Sequence, residues 1–228
     1  MDLSRRVALI RSDSEALAEG ARRAGLGAAV PSCPGWTVRD LVAHIWRVHR
    51  FWHADIEHGY KEPVEIELPD PADDQLIDAF VDSARRFTEL LLATDPATPC
   101  WTWGQDQSAA FIQRFQVQEA ALHRWDAELA AGAPGPIAAD GATDSIAMLA
   151  ELLPEWYPSP PARFTVEPTD AAASIPFHAA SGAPPAGTLR GPAGDLLLVL
   201  WRRRPLDTVE VDGDAVAIET TLNTAAVQ

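Results

Sequence analysis

Apolar residues recur every three to four positions through roughly the first half of the chain and predict four long helices. Leu3, Val7 and Ile10 begin the first such pattern, which ends at Gly25. Because residues at this spacing share one face of a helix, each segment is expected to bury one side. The predicted helices lie near residues 3–24, 37–57 and 71–94, and from a cap at Ser108 to a stop at Gly132.

Short polar motifs mark where these helices begin. Thr37 precedes the second helix and Asp40 follows three residues later, which is a variant of the capping box. Asp70 and Pro71 supply a cap and a first-turn residue for the third helix. Four helices of about twenty residues, joined by modest loops, predict a four-helix bundle.

The sequence changes character after Gly132. A shorter helix is expected near 143–153, ending at Pro154, and an apolar helix is expected within DLLLVLWRRR. The short β-like runs RFTVEPT, SIPFH and AGTLRG alternate with proline-rich segments, and a hairpin is expected around Asp212-Gly213. The fold class is therefore predicted as α+β. An up-and-down four-helix bundle occupies residues 1–135, and a small α+β domain occupies residues 136–228.

The amino-acid composition argues against some classes of binding partner and favours one cellular compartment. The formal net charge is −15, and an acidic surface repels phosphate, which argues against nucleic acids and anionic membranes. No apolar run of about 18 residues occurs, so no membrane span is expected. The charged N-terminus also lacks the apolar core of a signal peptide. Since the two cysteines, Cys33 and Cys100, form no disulfide framework, the protein is expected in the cytoplasm.

A candidate metal site lies on the second and fourth predicted helices. Glu119 and His123 are four residues apart and stack on one face, which flanking apolar residues turn inward. A buried glutamate is costly unless it is paired or binds a metal. His44 lies on the apolar stripe of the second helix, where a lone histidine is more often a core residue than a ligand. Together the three residues predict a divalent metal, zinc first, with an open fourth position, although nickel and iron suit the same ligands.

The remaining histidines of the second helix fit this site less well. At about 100° per residue, His49 and His53 turn away from the face of His44. His58 lies on a similar face but about 21 Å further along the helix axis. All three are expected in solvent, and His178, in the second half, has no assignment.

Three tryptophans have structural or binding interpretations. Trp36 precedes the cap of the second helix, and packing on Leu41 as a hydrophobic staple is favoured over contact with a substrate. Trp101 and Trp103 lie in the loop before the fourth helix and are candidates for the mouth of a pocket.

Three segments resemble the mycothiol-dependent maleylpyruvate isomerase family, which is part of the DinB-like superfamily. The segment VPSCPGWTVRDLVAHIWRVHRFW resembles the family's start, and EAALHRWDAELAAG resembles its second motif. The segment GPAGDLLLVLWRRRPLDTVEVDGD resembles its C-terminal domain. The matching residues are Cys33-Pro34-Gly35-Trp36, Asp40-Leu41, His44, Glu119, His123, Trp125, Asp126, Gly191, Asp195-Leu196, Arg203, Pro205-Leu206 and Gly213-Asp214. The motifs are specific to the family but not to one reaction.

This resemblance implies a fold, a ligand set and a chemistry. It implies a DinB-like metal-binding bundle with ligands at His44, Glu119 and His123, followed by the family's α+β domain. It also implies mycothiol, the low-molecular-weight thiol of actinobacteria, as a cosubstrate that zinc activates as thiolate. The thiolate would add to the activated double bond of a small electrophile, and rotation and elimination would give the trans isomer. S-transfer to the electrophile is the other reaction open to the same thiolate.

Two further residues have an ordinary and a functional interpretation. Asp126 either orients a ligand histidine or forms a surface salt bridge. Arg203 either ends an apolar helix as a solvated cation or binds a carboxylate of substrate or thiol through its planar guanidinium. The chain is therefore interpreted as a thiol-using isomerase or S-transferase. A non-catalytic DinB-like module that binds a ligand or partner is the main alternative, and a hydrolase using zinc-activated water is a weaker one.

Overall fold

A computed structural model describes residues 1–64, 69–178 and 180–224 of the 228-residue chain. The chain forms two compact units, Met1–Pro136 and Ile137–Gln228. Part of the acidic loop predicted at 59–71, residues 65–68, lies outside the described residues. No helix in the described ranges is both long and apolar enough to cross a membrane.

Four long helices make up the first unit, as predicted. They are α1 (Leu3–Ala24), α2 (Val38–His58), α3 (Asp73–Ala93) and α4 (Ala109–Ala130). Helix α1 packs mainly against α4 and α3, and α2 packs against α3 and α4. The helices therefore follow the order α1, α3, α2, α4 around the bundle. This order makes α2 and α4 neighbours, which is what the candidate metal site requires.

The helix caps agree with the sequence in one case and differ in two. Thr37 and Asp40 form the predicted capping box at the start of α2. Asp70 was expected to cap α3, and this is wrong: Ala72 is the N-cap, while Asp70 accepts hydrogen bonds from the guanidinium of Arg47. Ser108 occupies the N-cap position of α4, but its hydroxyl donates to Asp106 instead of accepting from the helix.

The second unit combines three helices with a small mixed sheet. Helix α5 spans Ala139–Trp156, α6 spans Ala193–Leu200 and α7 spans Ala215–Thr224. The strands are β1 (Arg163–Pro168), β2 (Ile175–Phe177), β3 (Pro185–Gly191) and β4 (Glu210–Gly213), in the order β2-β1-β3-β4. β1 pairs in parallel with β3, and the other two pairs are antiparallel. The α+β class predicted for the chain is confirmed.

Two local predictions in this unit are wrong. Helix α5 continues through Pro154 to Trp156 rather than ending there. The segment after Asp212-Gly213 is helix α7 and not the second strand of a hairpin. Asp214 begins this helix, since its side chain accepts a hydrogen bond from the backbone N–H of Ala217 at 3.0 Å.

Candidate metal centre

His44 on α2 faces Glu119 and His123 on α4. Nε2 of His44 lies 3.1 Å from Oε1 of Glu119, and Nε2 of His123 lies 3.5 Å from the same oxygen. One donor atom from each residue lies within 4.8 Å of the other two. The i,i+4 spacing stacks Glu119 on His123, and the α2–α4 contact supplies the third group. The structure brings together the three residues selected from the sequence; that they bind a metal stays a prediction.

The three donor atoms fit a divalent metal. In a four-coordinate zinc site with bonds of about 2.0–2.2 Å, neighbouring ligand atoms are about 3.3 Å apart. The two observed separations, 3.1 and 3.5 Å, bracket this value. Glu119 and His123 are largely buried, whereas the side chain of His44 is 36% exposed. One side of the cluster therefore stays accessible, as an open coordination position requires.

Asp126 fixes the ring of His123. Its Oδ2 accepts a hydrogen bond from Nδ1 of His123 at 2.9 Å, and its Oδ1 accepts from the hydroxyl of Ser32 at 2.6 Å. Because an ionised carboxylate only accepts hydrogen bonds, Nδ1 carries a proton, and Nε2 is the nitrogen that would bind a metal after losing its own proton. Asp126 is completely buried, so it is not a surface ion pair.

A second group of donors shares His123. Cys33, His123 and Asp126 also offer ligand atoms within 4.8 Å of one another. The thiol of Cys33 donates to Oδ2 of Asp126 at 3.6 Å. A metal in this group would need Nδ1 of His123, the atom that already donates to Asp126. A metal held by His44, Glu119 and His123 would leave the contact between His123 and Asp126 intact, so we favour that group.

The negative charges of the cluster favour a bound cation. Burial alone would raise the pKa of Glu119, but hydrogen bonds from His123 and His44 lower it well below its usual range. Burial would likewise lower the pKa of His123, yet hydrogen bonds to Asp126 and Glu119 raise it to about 9. Two carboxylates therefore surround one imidazole, and a positive charge between them, proton or metal, is favoured.

Trp36 packs against both candidate ligand rings. Its ring centroid lies 5.1 Å from that of His44, and it stacks on His123 at 6.3 Å with an interplanar angle of 11°. It also packs against the core cluster that includes Leu41. The indole thus limits how far the two imidazoles can rotate, in addition to anchoring the start of α2.

A cavity of about 390 Å³ adjoins His44. Trp101 and Trp103, which the sequence marked as candidates for a pocket mouth, both line it. The other lining residues are Arg47, Val48, Phe51, Trp52 and Pro63. Sequence reasoning missed Arg47 and Trp52, although both lie within three turns of His44 on the same helix.

Arg203 lies in the second unit, after α6. Its guanidinium carbon is 6.0 Å from the ring centroid of Trp201, and its Nη1 donates to the carbonyl oxygen of Trp201 at 3.2 Å. With Arg202 and Arg204 it lines a cavity of about 280 Å³. Its role as a carboxylate-binding residue stays a prediction.

The other histidines of α2 occupy three different environments. His49 was expected in solvent, and this is wrong: it is buried between Phe80 and Phe87 and lies 3.3 Å from the hydroxyl of Ser83. Helix α2 is covered on two sides, by α4 near His44 and by α3 near His49, so a face turned away from one neighbour meets the other. His53 is partly exposed and His58 is exposed.

His178 is buried in the second unit, at the end of β2. It adopts a positive φ of 57°. Neither ring nitrogen has a hydrogen-bond partner within the described part of the chain. Burial lowers the pKa of this imidazole, so the neutral ring is favoured.

Comparison with known proteins covers both units. A family model described as the mycothiol maleylpyruvate isomerase N-terminal domain matches residues 7–128, and one described as the MDMPI C-terminal domain matches residues 136–220. No curated protein sequence is significantly similar to the chain.

Two solved structures share the fold. One is a crystal structure of the mycothiol-dependent maleylpyruvate isomerase, with 16% identity, a TM-score of 0.66 and 93% of each chain covered. The other is a single-substitution mutant of that isomerase, with 15% identity, the same TM-score and the same coverage. At this level of identity the likeness supports the fold, while the two family models decide membership. The resemblance seen in the sequence is confirmed, and the chain belongs to the mycothiol maleylpyruvate isomerase family.

Proposed function

We propose that the protein is a metal-dependent, thiol-using enzyme that acts on a small electrophile. The observation that carries the proposal is the convergence of His44, Glu119 and His123 on a point that is accessible from the side of His44. A purely structural zinc site is normally closed by four protein ligands. Three donors beside a cavity are the arrangement expected where a metal must also bind a substrate group.

Zinc is the first candidate for the ion, and it would supply one effect: a metal-bound thiol loses its proton near neutral pH. Residues of the chain itself would help to hold the metal that activates the thiol. Glu119 and Asp126 provide negative charge on either side of His123, and Asp126 holds the tautomer that directs Nε2 toward Glu119. Trp36 packs against both imidazoles and so limits the rotation of the two rings.

The family relationship points to mycothiol as the thiol and to isomerisation as the reaction. The similar crystal structure is named a mycothiol-dependent maleylpyruvate isomerase. In such a reaction the thiolate sulfur bonds to one alkene carbon while the π pair moves onto the conjugated carbonyl. Rotation about the resulting single bond and expulsion of the thiolate then give the trans alkene, with no net change in atoms. Where the electrophile carries a leaving group, the thiolate sulfur instead bonds to that carbon while the leaving group departs with the bonding pair, and the reaction is S-transfer.

Arg203 is the proposed partner of a carboxylate on the electrophile or thiol. A guanidinium presents paired N–H groups that match the two oxygens of a carboxylate. We place the reaction in the cytoplasm, where a low-molecular-weight thiol would be kept reduced.

The first experiment measures the metal content of the protein purified without added metal. Wild type is expected to hold about one zinc per chain, and the variants His44→Ala and Glu119→Ala are expected to lose it while keeping their helicity. His53→Ala is the matched control, because His53 lies on the same helix and its side chain is 33% exposed against 36% for His44. The control should keep the metal.

The second experiment adds mycothiol and an activated alkene to each preparation. Turnover that requires both metal and thiol supports the proposal, whereas turnover without thiol would favour the hydrolase. Wild type that neither holds nor takes up zinc would contradict the metal site and leave a ligand-binding module. Loss of helicity together with the metal would instead indicate a structural zinc.

A further inference from the structure

We infer that the electrophile carries an aromatic ring, which binds in the cavity beside His44 against the indoles of Trp101 and Trp103. The inference rests on the proposed function for what happens to the ligand, but the binding itself follows from the cavity. Of the eight lining residues in the described part of the chain, four have aromatic rings of Phe or Trp: Phe51, Trp52, Trp101 and Trp103.

The cavity has the size of a site for a small aromatic molecule. Pockets for small ligands measure about 300–1,000 Å³, and a dry cavity of about 150 Å³ is enough to bind benzene. At about 390 Å³ this cavity accommodates one ring and a short reactive side chain. His44 lines the same cavity, so that side chain would end next to the candidate metal ligands.

The aromatic walls are arranged mostly edge to face. Trp103 lies 4.8 Å from Trp52 at 79° and 5.9 Å from Trp101 at 81°, measured between ring centroids. Phe51 meets Trp101 at 6.0 Å and 89°. Aromatic pairs favour offset-stacked and edge-to-face contacts. A planar aromatic ligand could make contacts of both kinds with the ring faces and edges that line the cavity.

The loop that carries the two indoles is held in place before any ligand binds. The amide of Gln107 donates to the carbonyl oxygen of Thr102 at 2.9 Å, and the hydroxyl of Thr102 donates to the carbonyl oxygen of Asp106 at 2.7 Å. The backbone N–H of Trp101 donates to the buried carboxylate of Asp55 at 3.3 Å. A loop that is already ordered loses less conformational entropy when a ligand binds, so the affinity is higher than it would be for a disordered loop.

The charge of the cavity does not favour a small dicarboxylate. Among its described lining residues, Arg47 alone has a permanent positive charge, and its guanidinium already contacts both oxygens of Asp70. That pairing offsets part of the charge that Arg47 could offer a ligand. A dianion would therefore lose its hydration without gaining an unpaired cationic side chain from the described cavity wall, whereas an uncharged aromatic molecule has no charge to desolvate.

Trp103 gives a sharp test because it is accessible. The residue is 46% exposed, so a ligand in the cavity can contact its indole without any rearrangement of the loop. Leu92 on α3 is also 46% exposed and does not line the cavity, so Leu92→Ala is a matched control. Trp103→Phe tests whether any aromatic ring at this position is sufficient.

The experiment measures binding of benzylideneacetone, an uncharged aromatic enone, and of maleate, by isothermal titration calorimetry of the full chain without thiol. We expect Trp103→Ala to weaken benzylideneacetone binding about fivefold or more. Trp103→Phe and Leu92→Ala should stay within about twofold of wild type, and maleate should bind more weakly than the enone. Tighter binding of maleate, or an unchanged enone affinity in Trp103→Ala, would overturn the inference.

Glu119→Ala separates this inference from the proposed function. Glu119 is a candidate metal ligand but not part of the cavity wall, so the enone should bind this variant as it binds wild type. Enone binding in a protein that never holds metal would retain the aromatic site and refute the catalytic proposal. Metal- and thiol-dependent turnover without enone binding would refute the aromatic site and retain the catalytic proposal.

Discussion

Nδ1 of His123 lies 2.9 Å from Oδ2 of Asp126, three residues further along the same helix, and this contact decides which nitrogen of the ring meets Glu119. The opposite oxygen of Asp126 is held by the hydroxyl of Ser32, which belongs to the turn before α2. The turn and the fourth helix are thus joined through one buried carboxylate. A metal bound at Nε2 would depend on this chain of contacts even though Asp126 would not touch it.

Replacing Asp126 by Asn should weaken zinc binding by about tenfold to a hundredfold. Asparagine keeps the size of the side chain but removes the charge that makes the imidazole a strong ligand. Competition with a chromophoric chelator measures the affinity. Asp13→Asn is the control, because Asp13 also contacts α4 from a largely buried position, through Arg124, but lies outside the donor group. Equal losses in the two variants would mean that Asp126 acts only through general stability.

Cys33→Ala should leave the metal content unchanged if the metal is held by His44, Glu119 and His123. The alternative group, which contains Cys33, His123 and Asp126, predicts that the metal is lost. Substitution with cobalt adds a second readout, since a cobalt–thiolate bond gives an intense charge-transfer band in the near ultraviolet. We expect no such band in wild type. A band that disappears in Cys33→Ala would place the metal in the alternative group.

The sequence was sufficient for the first unit's helices because their apolar periodicity and the Thr37–Asp40 capping box are local signals. It also selected His44, Glu119 and His123 from helix faces and family motifs, and the structure brings these residues together. It did not supply the order of helices around the bundle, which is set by long-range packing.

This missing order explains the main error about the histidines. An angular argument on one helix cannot show that α3 covers the side of α2 that faces away from α4, so His49 was expected in solvent. The strand predicted after Gly213 failed for a different reason. The alternation in DAVAIET is compatible with a strand, but Asp214 is also a good N-cap and the helix prevails.

Arg203→Lys should raise KM for an electrophile that bears a carboxylate by about tenfold, because lysine keeps the charge but loses the paired N–H groups. The metal content and kcat should change little. Arg202→Lys is the matched control, since Arg202 is the preceding residue and its guanidinium binds Asn223. If both variants keep the wild-type KM, Arg203 is a cation at a helix end and not a binding residue.

His49 predicts how the stability of the protein depends on pH. Burial lowers its pKa from 6.5 to about 3, so the folded protein holds this imidazole neutral while the unfolded chain binds a proton. The unfolded state therefore gains protons first as the pH falls, and the free energy of unfolding decreases below about pH 6.5. Between pH 7 and pH 5 this histidine alone should cost about 2 kcal/mol.

The measurement compares urea unfolding of wild type and His49→Gln at several pH values. Glutamine has no ionisable group at this position. From pH 7 to pH 5, the free energy of unfolding of wild type should therefore fall by about 2 kcal/mol more than that of His49→Gln. His53→Gln, on the partly exposed side of α2, should follow the wild-type curve. Parallel pH profiles for wild type and His49→Gln would contradict this prediction, because they would mean that the folded protein binds a proton at His49 over the same pH range as the unfolded chain.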